Sequence, residues 1–181
     1  MIKVAFLDRD GVINAEKHYV HKIASFEFLP GVIEALRKLC ELGYKIIIVT
    51  NQAGIGKQIF KESDYWELTN WYVSVLKSEG IDILDIFFCP HYIGSKIKKY
   101  KKDCDCRKPR PGMFKQAFER YDVNREKSFM VGDKLSDLHA AKNAGLSRRI
   151  LVRSGHVISE SKIDLSCAIF DNLLDYTDSL K

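Results

Sequence analysis

The 181-residue sequence is 46% hydrophobic and 29% charged, with a formal net charge of +5. A chain of that size is expected to form one compact domain, residues 1–181. No run approaches the roughly 18 to 20 consecutive apolar residues that a membrane-spanning helix needs, so no membrane partner is expected.

Short apolar runs alternate with amphipathic stretches, the pattern of βαβ units and a parallel sheet. A first strand is expected over residues 3–7, after a start too short and too soon acidic for a secretory leader, which makes a cytoplasmic address the expectation. A helix over 32–42 follows, carrying Cys40 on the same apolar stripe as Val32, Leu36 and Leu39. Then come a strand over 45–49, a helix over 62–79 and a strand over 83–88. The stretch from Pro90 to Pro111 has no periodicity and needs support of its own. Beyond it a helix over 112–121, a strand over 128–131, a helix over 134–143 and a strand over 149–152 are expected. A short strand over 168–170 and a helix from 171 close the chain, and residues 159–181 carry no functional signal. Gly43, Gly80 and Gly145 stand where three of the helices should stop. The predicted fold is α/β, a doubly wound parallel sheet, and the lack of a coiled-coil seam favours a monomer.

Open parallel sheets bind ligands beyond the carboxyl ends of their strands, so the polar residues there are informative. The first strand runs into Asp8-Arg9-Asp10-Gly11, the second into Thr50-Asn51-Gln52, and the fourth into Gly132-Asp133 with Asp137 following. One Asp-x-Asp-Gly alone reads as readily as a turn. Two acidic motifs after two strands point instead to a crevice where carboxylates repel one another unless a cation lies between them. Oxygen ligands of this kind suit Mg2+.

Five cysteines leave one over in any pairing. Cys40 and Cys167 read as structural. Cys89, His91, Cys104 and Cys106 form a CxH…CxC set with 12 residues between the pairs, which matches a closed tetrahedral zinc site across residues 89–106. A loop thiol or a redox pair are the competing readings. Cys106 leads straight into Arg107-Lys108-Pro109, so a metal here would fix where Lys108 points. Much of the excess charge lies nearby, in Lys96, Lys98, Lys99, Lys101 and Lys102, which reads as a solvated loop or an anion contact.

Taken in order, Asp8-Arg9-Asp10-Gly11-Val12, Thr50, Lys108 and Gly132-Asp133 with Asp137 resemble the four signatures of the haloacid dehalogenase (HAD) superfamily of phosphatases. The resemblance implies Asp8 as nucleophile, Asp10 as general acid and then base, Thr50 holding phosphoryl oxygens and Lys108 offsetting charge. Mg2+ would be bound by Asp8, Asp10 and Asp133. About 40 residues separate Asp8 from Thr50, too few to add a large cap domain to the helix expected there.

Within the superfamily, LDRDGVIN, TNQAGIGKQ, CPH…CDCRKPRPGM and MVGDKLSDLHAAKNAG resemble the branch of histidinol-phosphate and heptose-bisphosphate phosphatases. That likeness implies a sugar bisphosphate substrate, used to make nucleotide-activated heptose for lipopolysaccharide core or surface glycans. It also carries substrate contacts onto Asp8, Arg9, Asp10, Glu16, Lys17, His18 and Tyr19, onto Thr50, Asn51, Gln52 and Ala53, and onto Arg107, Lys108 and Lys134. The histidinol branch reads GDRxTD where this chain has Gly132-Asp133-Lys134-Leu135-Ser136-Asp137, which favours the sugar side. The branch commonly has NQSGIARG where this chain reads Asn51-Gln52-Ala53-Gly54-Ile55-Gly56-Lys57-Gln58, and there the contacts are open. Competing readings are a histidinol-phosphate phosphatase, a polynucleotide end phosphatase, and a zinc-stabilised nucleic-acid-binding protein. The clustered carboxylates oppose the last, because they would repel nucleic acid.

Overall fold

In a computed structural model, residues 1–157 and 167–180 are described. Six strands form one parallel sheet: β1 (Val4–Leu7), β2 (Lys45–Asn51), β3 (Ile83–Cys89), β4 (Phe129–Gly132), β5 (Arg148–Val152) and β6 (Ala168–Phe170). Their spatial order is β3-β2-β1-β4-β5-β6, so the winding direction reverses between β1 and β4. A crevice opens at such a switch point, and two of the acidic motifs lie on its two sides.

Alternation along the strands builds two cores. Ala5 and Leu7 face one layer with Ile46, Ile48, Phe129 and Val131, while Val4, Phe6, Ile47, Val49 and Met130 face the other. The first layer is covered by α1 (Val32–Glu41), α3 (Glu62–Ser78) and α6 (Leu173–Asp178). α1 buries Val32, Ala35, Leu36 and Leu39, the stripe read from the sequence, with Cys40 half-buried at its edge. Truncating one such leucine to alanine costs about 2–5 kcal/mol. The second layer is covered by α4 (Gly112–Arg120) and α5 (Leu135–Asn143), through Met113, Phe114, Ala117, Ala140 and Ala141. The fold is a single α/β domain with helices on both faces of the sheet.

All the predicted strands and helices are present within a few residues. Gly43, Gly80 and Gly145 take φ of 78°, 77° and 84°, which side chains rarely adopt, and they end their helices as expected. The final helix starts at Leu173 because Asn172 caps it, its side-chain oxygen accepting from the Asp175 N–H. One helix went unpredicted: α2 (Ala53–Gly56), a single turn after β2. Four residues are too few for apolar periodicity to register. Residues 15–31 contain a short 3-10 turn, Ile23–Ser25, and a single bridge from Phe28 to Asn14, so no cap domain follows β1.

Candidate active site

Asp8 and Asp133 directly follow β1 and β4, and Thr50 lies near the end of β2, three adjacent strands whose register is fixed by hydrogen bonding. Leu7 is opposite Ile48 on β2 and Val131 on β4, and the Asp8 N–H donates to the Val131 carbonyl at 3.0 Å. The residues that follow those partners therefore meet at the strand ends. Ligand atoms of Asp8, Asp133 and Asp137 lie within 4.8 Å of one another, and all three residues are buried. Three carboxylates so close need positive charge.

Lys108 supplies part of it. Its ammonium lies 3.0 Å from Asp8 Oδ1 and 2.7 Å from Asp137 Oδ1, and donates to the Val49 carbonyl at 2.7 Å. Burial works to lower its pKa, but Asp137 and Asp8 outweigh burial and hold it above the ordinary lysine value. Asn51 fixes the backbone there: its amide nitrogen donates to the Lys108 carbonyl and its oxygen accepts the Lys108 N–H, both at 3.1 Å. Asn51, expected to touch substrate, thus clamps Lys108 onto the end of β2.

Burial pushes the Asp8 carboxyl up to about 6, against the lowering effect of Lys108 and with the help of Asp137 and Asp10. Hydrogen bonds reach only its Oδ1, from the Arg9 N–H and from Lys108, which leaves Oδ2 to the cleft among the described residues. Asp133 is held by His156, whose N–H and Nδ1 lie 3.1 and 2.6 Å from Oδ2, while its Oδ1 is buried without a partner. An orphaned carboxylate oxygen facing two more carboxylates is what a hard divalent cation requires, so the residues fit Mg2+.

Asp10 differs from the expectation. Its carboxylate is not part of the acidic cluster. Arg9 Nη2 donates to both its oxygens at 2.9 Å, Asn14 to Oδ1 at 3.0 Å and Gln52 to Oδ2 at 3.2 Å. Burial raises its pKa, but Arg9, Asn14 and Gln52 together hold it below the usual carboxylate range. Local hydrogen bonding therefore does not supply the proton that a general acid needs. Arg9 is itself wholly buried, anchored also on the Val20 carbonyl, so its guanidinium acts through Asp10 and does not reach the cleft.

The cleft above these groups holds about 420 Å3 and is lined by Asp8, Asp10, Glu16, His18, Tyr19, Thr50, Asn51, Gln52, Ala53, Arg107, Lys108 and Lys134, all named from the sequence. Lys17 is not among them, because it pairs with Glu27 at 2.6 Å outside the cleft. Gln52 Nε2 donates to Thr50 Oγ1 at 2.9 Å, leaving that hydroxyl its own proton to donate. The rim contains strained backbone, with φ of 54° at His18 and Tyr19.

The structure adds residues to which the sequence reading gave no role. His156 and Lys57 line the cleft, and Ser154 Oγ donates to the Gly11 carbonyl at 2.7 Å. The loop after β5 is thereby pinned against the first motif. Lys57 lies in the loop whose contacts the sequence left open, whereas nothing in local sequence marks His156 or Ser154, because their partners are far along the chain.

Cys89, His91, Cys104 and Cys106 converge as predicted and could hold a metal. Cys89 Sγ lies 3.5 Å from Cys104 Sγ, Cys104 Sγ 3.2 Å from Cys106 Sγ, and His91 Nδ1 3.2 Å from Cys106 Sγ. A tetrahedron of sulfurs around zinc has edges of about 3.7 Å, so the group is close to a binding geometry. The lysine run beside it is mainly solvated, with Lys99 paired to Glu62 at 2.8 Å.

Comparison with known proteins agrees with this site. A family model described as HAD-hydrolase-like matches residues 105–174. A D-glycero-alpha-D-manno-heptose-1,7-bisphosphate 7-phosphatase of Photorhabdus laumondii is 54% identical over 159 residues, covering 88% of this chain and 87% of the relative. The beta-anomer counterpart from the same organism is 41% identical over 180 residues, 99% of this chain and 96% of that protein. A crystal structure of D,D-heptose 1,7-bisphosphate phosphatase from B. bronchiseptica, complexed with magnesium and phosphate, superposes with a TM-score of 0.89 at 29% identity, covering 99% of this chain and 98% of that one. By its site, its sequence and its fold, the chain belongs to the heptose-1,7-bisphosphate 7-phosphatase family of HAD-like hydrolases.

Proposed function

We propose that this chain hydrolyses the 7-phosphate of D-glycero-D-manno-heptose 1,7-bisphosphate, with Asp8 as nucleophile. The observation that carries the reading is Asp8 itself, its free Oδ2 facing the cleft beside Lys108 and two further carboxylates. The greater identity to the alpha-named relative, 54% against 41%, supports the α anomer as substrate. The product would serve the making of nucleotide-activated heptose for lipopolysaccharide core or surface glycans.

Mg2+ bound by Asp8 and Asp133 would neutralise the phosphoryl oxygens and so let a carboxylate approach a dianion. Asp10, named with them from the sequence, has its carboxylate already held by Arg9, Asn14 and Gln52. Lys108 and the Thr50 hydroxyl hold the phosphoryl oxygens from the protein side. Asp8 attacks phosphorus, the bond to the sugar oxygen breaks, and an aspartyl phosphate results. Asp10 gives the leaving oxygen its proton and then takes one from the water that cleaves the aspartyl phosphate. Since Arg9, Asn14 and Gln52 favour its ionised form, the negative charge of the incoming substrate is what raises its proton affinity.

The Cys89-His91-Cys104-Cys106 group would bind zinc as a closed structural site. It lies one residue before Arg107 and two before Lys108, so the metal would position both. The enzyme works as a soluble monomer in the cytoplasm on a small molecule, without nucleic acid. Phosphate release from the two anomers of the bisphosphate, from histidinol phosphate and from a 3′-phosphorylated oligonucleotide tests the reading, with Asp8→Asn as control. Preference for the α-bisphosphate, abolished in the variant, is expected. Preference for histidinol phosphate or the oligonucleotide would sink the sugar assignment while keeping the aspartate mechanism.

A further inference from the structure

The cleft has two ends of opposite character. At its base, Lys108 is committed to Asp8 and Asp137 and is buried. At its rim, Lys134 faces Glu16 at 3.5 Å, while Lys57 has no carboxylate partner among the described residues. A bisphosphate brings a second dianion that the base cannot serve, because the acidic cluster there accommodates one phosphoryl group. Something on the rim must meet it.

Lys57 is held ready to do so. It caps α2, and its ammonium donates to the Tyr19 hydroxyl at 2.8 Å while lying 5.4 Å from the centre of the Tyr19 ring and 5.1 Å from that of Tyr92. Tyr19 belongs to the loop after β1 and Tyr92 to the metal loop, so one cation joins two loops across the mouth. Gly56 makes this approach possible: a Cβ there would lie 2.7 Å from the Pro90 carbonyl and 2.9 Å from Tyr92 Cβ. The end of α2 is therefore seated directly on the backbone that the Cys/His group fixes. The Tyr19 hydroxyl and the Tyr92 ring hold the cation without neutralising it, as carboxylates would.

The donor arithmetic also fits an anion. The Tyr19 hydroxyl accepts from Lys57 and keeps its own hydrogen to donate, and the ammonium keeps two N–H groups. Three donors on two preplaced side chains make a charge-assisted grip for phosphate oxygens. Arg107, which donates to the His91 carbonyl at 3.5 Å, faces the same cleft.

We propose that Lys57, with Tyr19, binds the phosphate that is not cleaved and so makes this enzyme select a bisphosphate over a monophosphate. The inference rests on the heptose-bisphosphate reading above. It assigns Lys57, one of the positions at which this chain departs from the NQSGIARG pattern, to substrate choice and not to chemistry.

The test compares kcat and KM for heptose 1,7-bisphosphate and heptose 7-phosphate, in the wild type, Lys57→Met, Lys57→Arg and Tyr19→Phe. For Lys57→Met the expected result is a fall of about 10- to 100-fold in kcat/KM for the bisphosphate, carried by KM. Activity on the monophosphate should hold within about twofold, with melting temperature unchanged. Lys57→Arg should restore most of the preference, which a purely structural loss would not allow. A wild type that prefers the bisphosphate and a Lys57→Met variant that keeps that preference would overturn this assignment alone. A wild type with no preference between the two sugars would likewise overturn it, whereas a wild type inactive on both would overturn the reading it rests on.

Discussion

Replacing Lys108 by methionine keeps the length and volume of the side chain and removes its charge. In the native site the ammonium is 1% exposed and lies 3.0 and 2.7 Å from two carboxylate oxygens, with a third bond to the Val49 carbonyl. At an effective dielectric constant near 20, each charge pair at about 3 Å is worth roughly 5 kcal/mol of Coulomb energy before desolvation is counted. Bringing the ammonium out of water opposes most of that gain, and breaking a buried pair by removing one partner leaves a net loss of about 3–5 kcal/mol. Urea unfolding in magnesium-free buffer with zinc retained should show that loss. The same substitution deepens the negative potential at the cluster, so calorimetric titration should show Mg2+ binding roughly tenfold more tightly than in the wild type. Activity should nevertheless fall by about 1000-fold, because Lys108 no longer meets the phosphoryl oxygens. A stability loss below about 1 kcal/mol, or weaker Mg2+ binding, would show that the three carboxylates do not share the lysine as a counter-charge.

Asp8 carries a pH consequence. Its carboxyl is raised by burial from 3.8 to about 6 in the metal-free protein. Between those values the folded chain keeps a proton that the unfolded chain has released, so this group's stabilisation is full below 3.8 and is lost as pH rises through about 6. The same proton competes with Mg2+, so affinity measured from pH 7 down to 5 should weaken below about 6, and a flat profile would contradict the shift. Gly155→Ala places a Cβ into the Asp133 carboxylate. Titration should find Mg2+ affinity reduced about tenfold with the fold intact by circular dichroism. Cys106→Ser should lower zinc content below one per chain by elemental analysis and reduce kcat/KM by about 100-fold, since Lys108 follows two residues later. Full activity in a zinc-free variant would separate the loop from catalysis. Finally, Asp8→Asn should abolish labelling of the protein by substrate phosphate while leaving the melting curve cooperative.

Much of this molecule is legible in its sequence because the signals are local. Strand and helix periodicity, the glycines that end α1, α3 and α5, and the acidic residues that close β1 and β4 all depend on neighbours a few positions away. The CxH…CxC spacing is of the same kind, since ligand chemistry fixes it within one loop. The short helix α2 escaped because one turn has no period.

Only the tertiary structure decides which side chains act through others. Arg9 sits between two recognisable aspartates, yet it is buried and serves Asp10, and Asn51 holds Lys108 from 57 positions away. His156 reaches Asp133 across 23 positions, and Lys57 meets Tyr19 across 38. Those contacts arise because parallel strands bring the ends of separate βα units to one edge, which no spacing along the chain encodes. Whether a carboxylate binds an ion, holds a proton or pairs with a lysine depends on burial and on the charges around it, and these exist only once the sheet has formed.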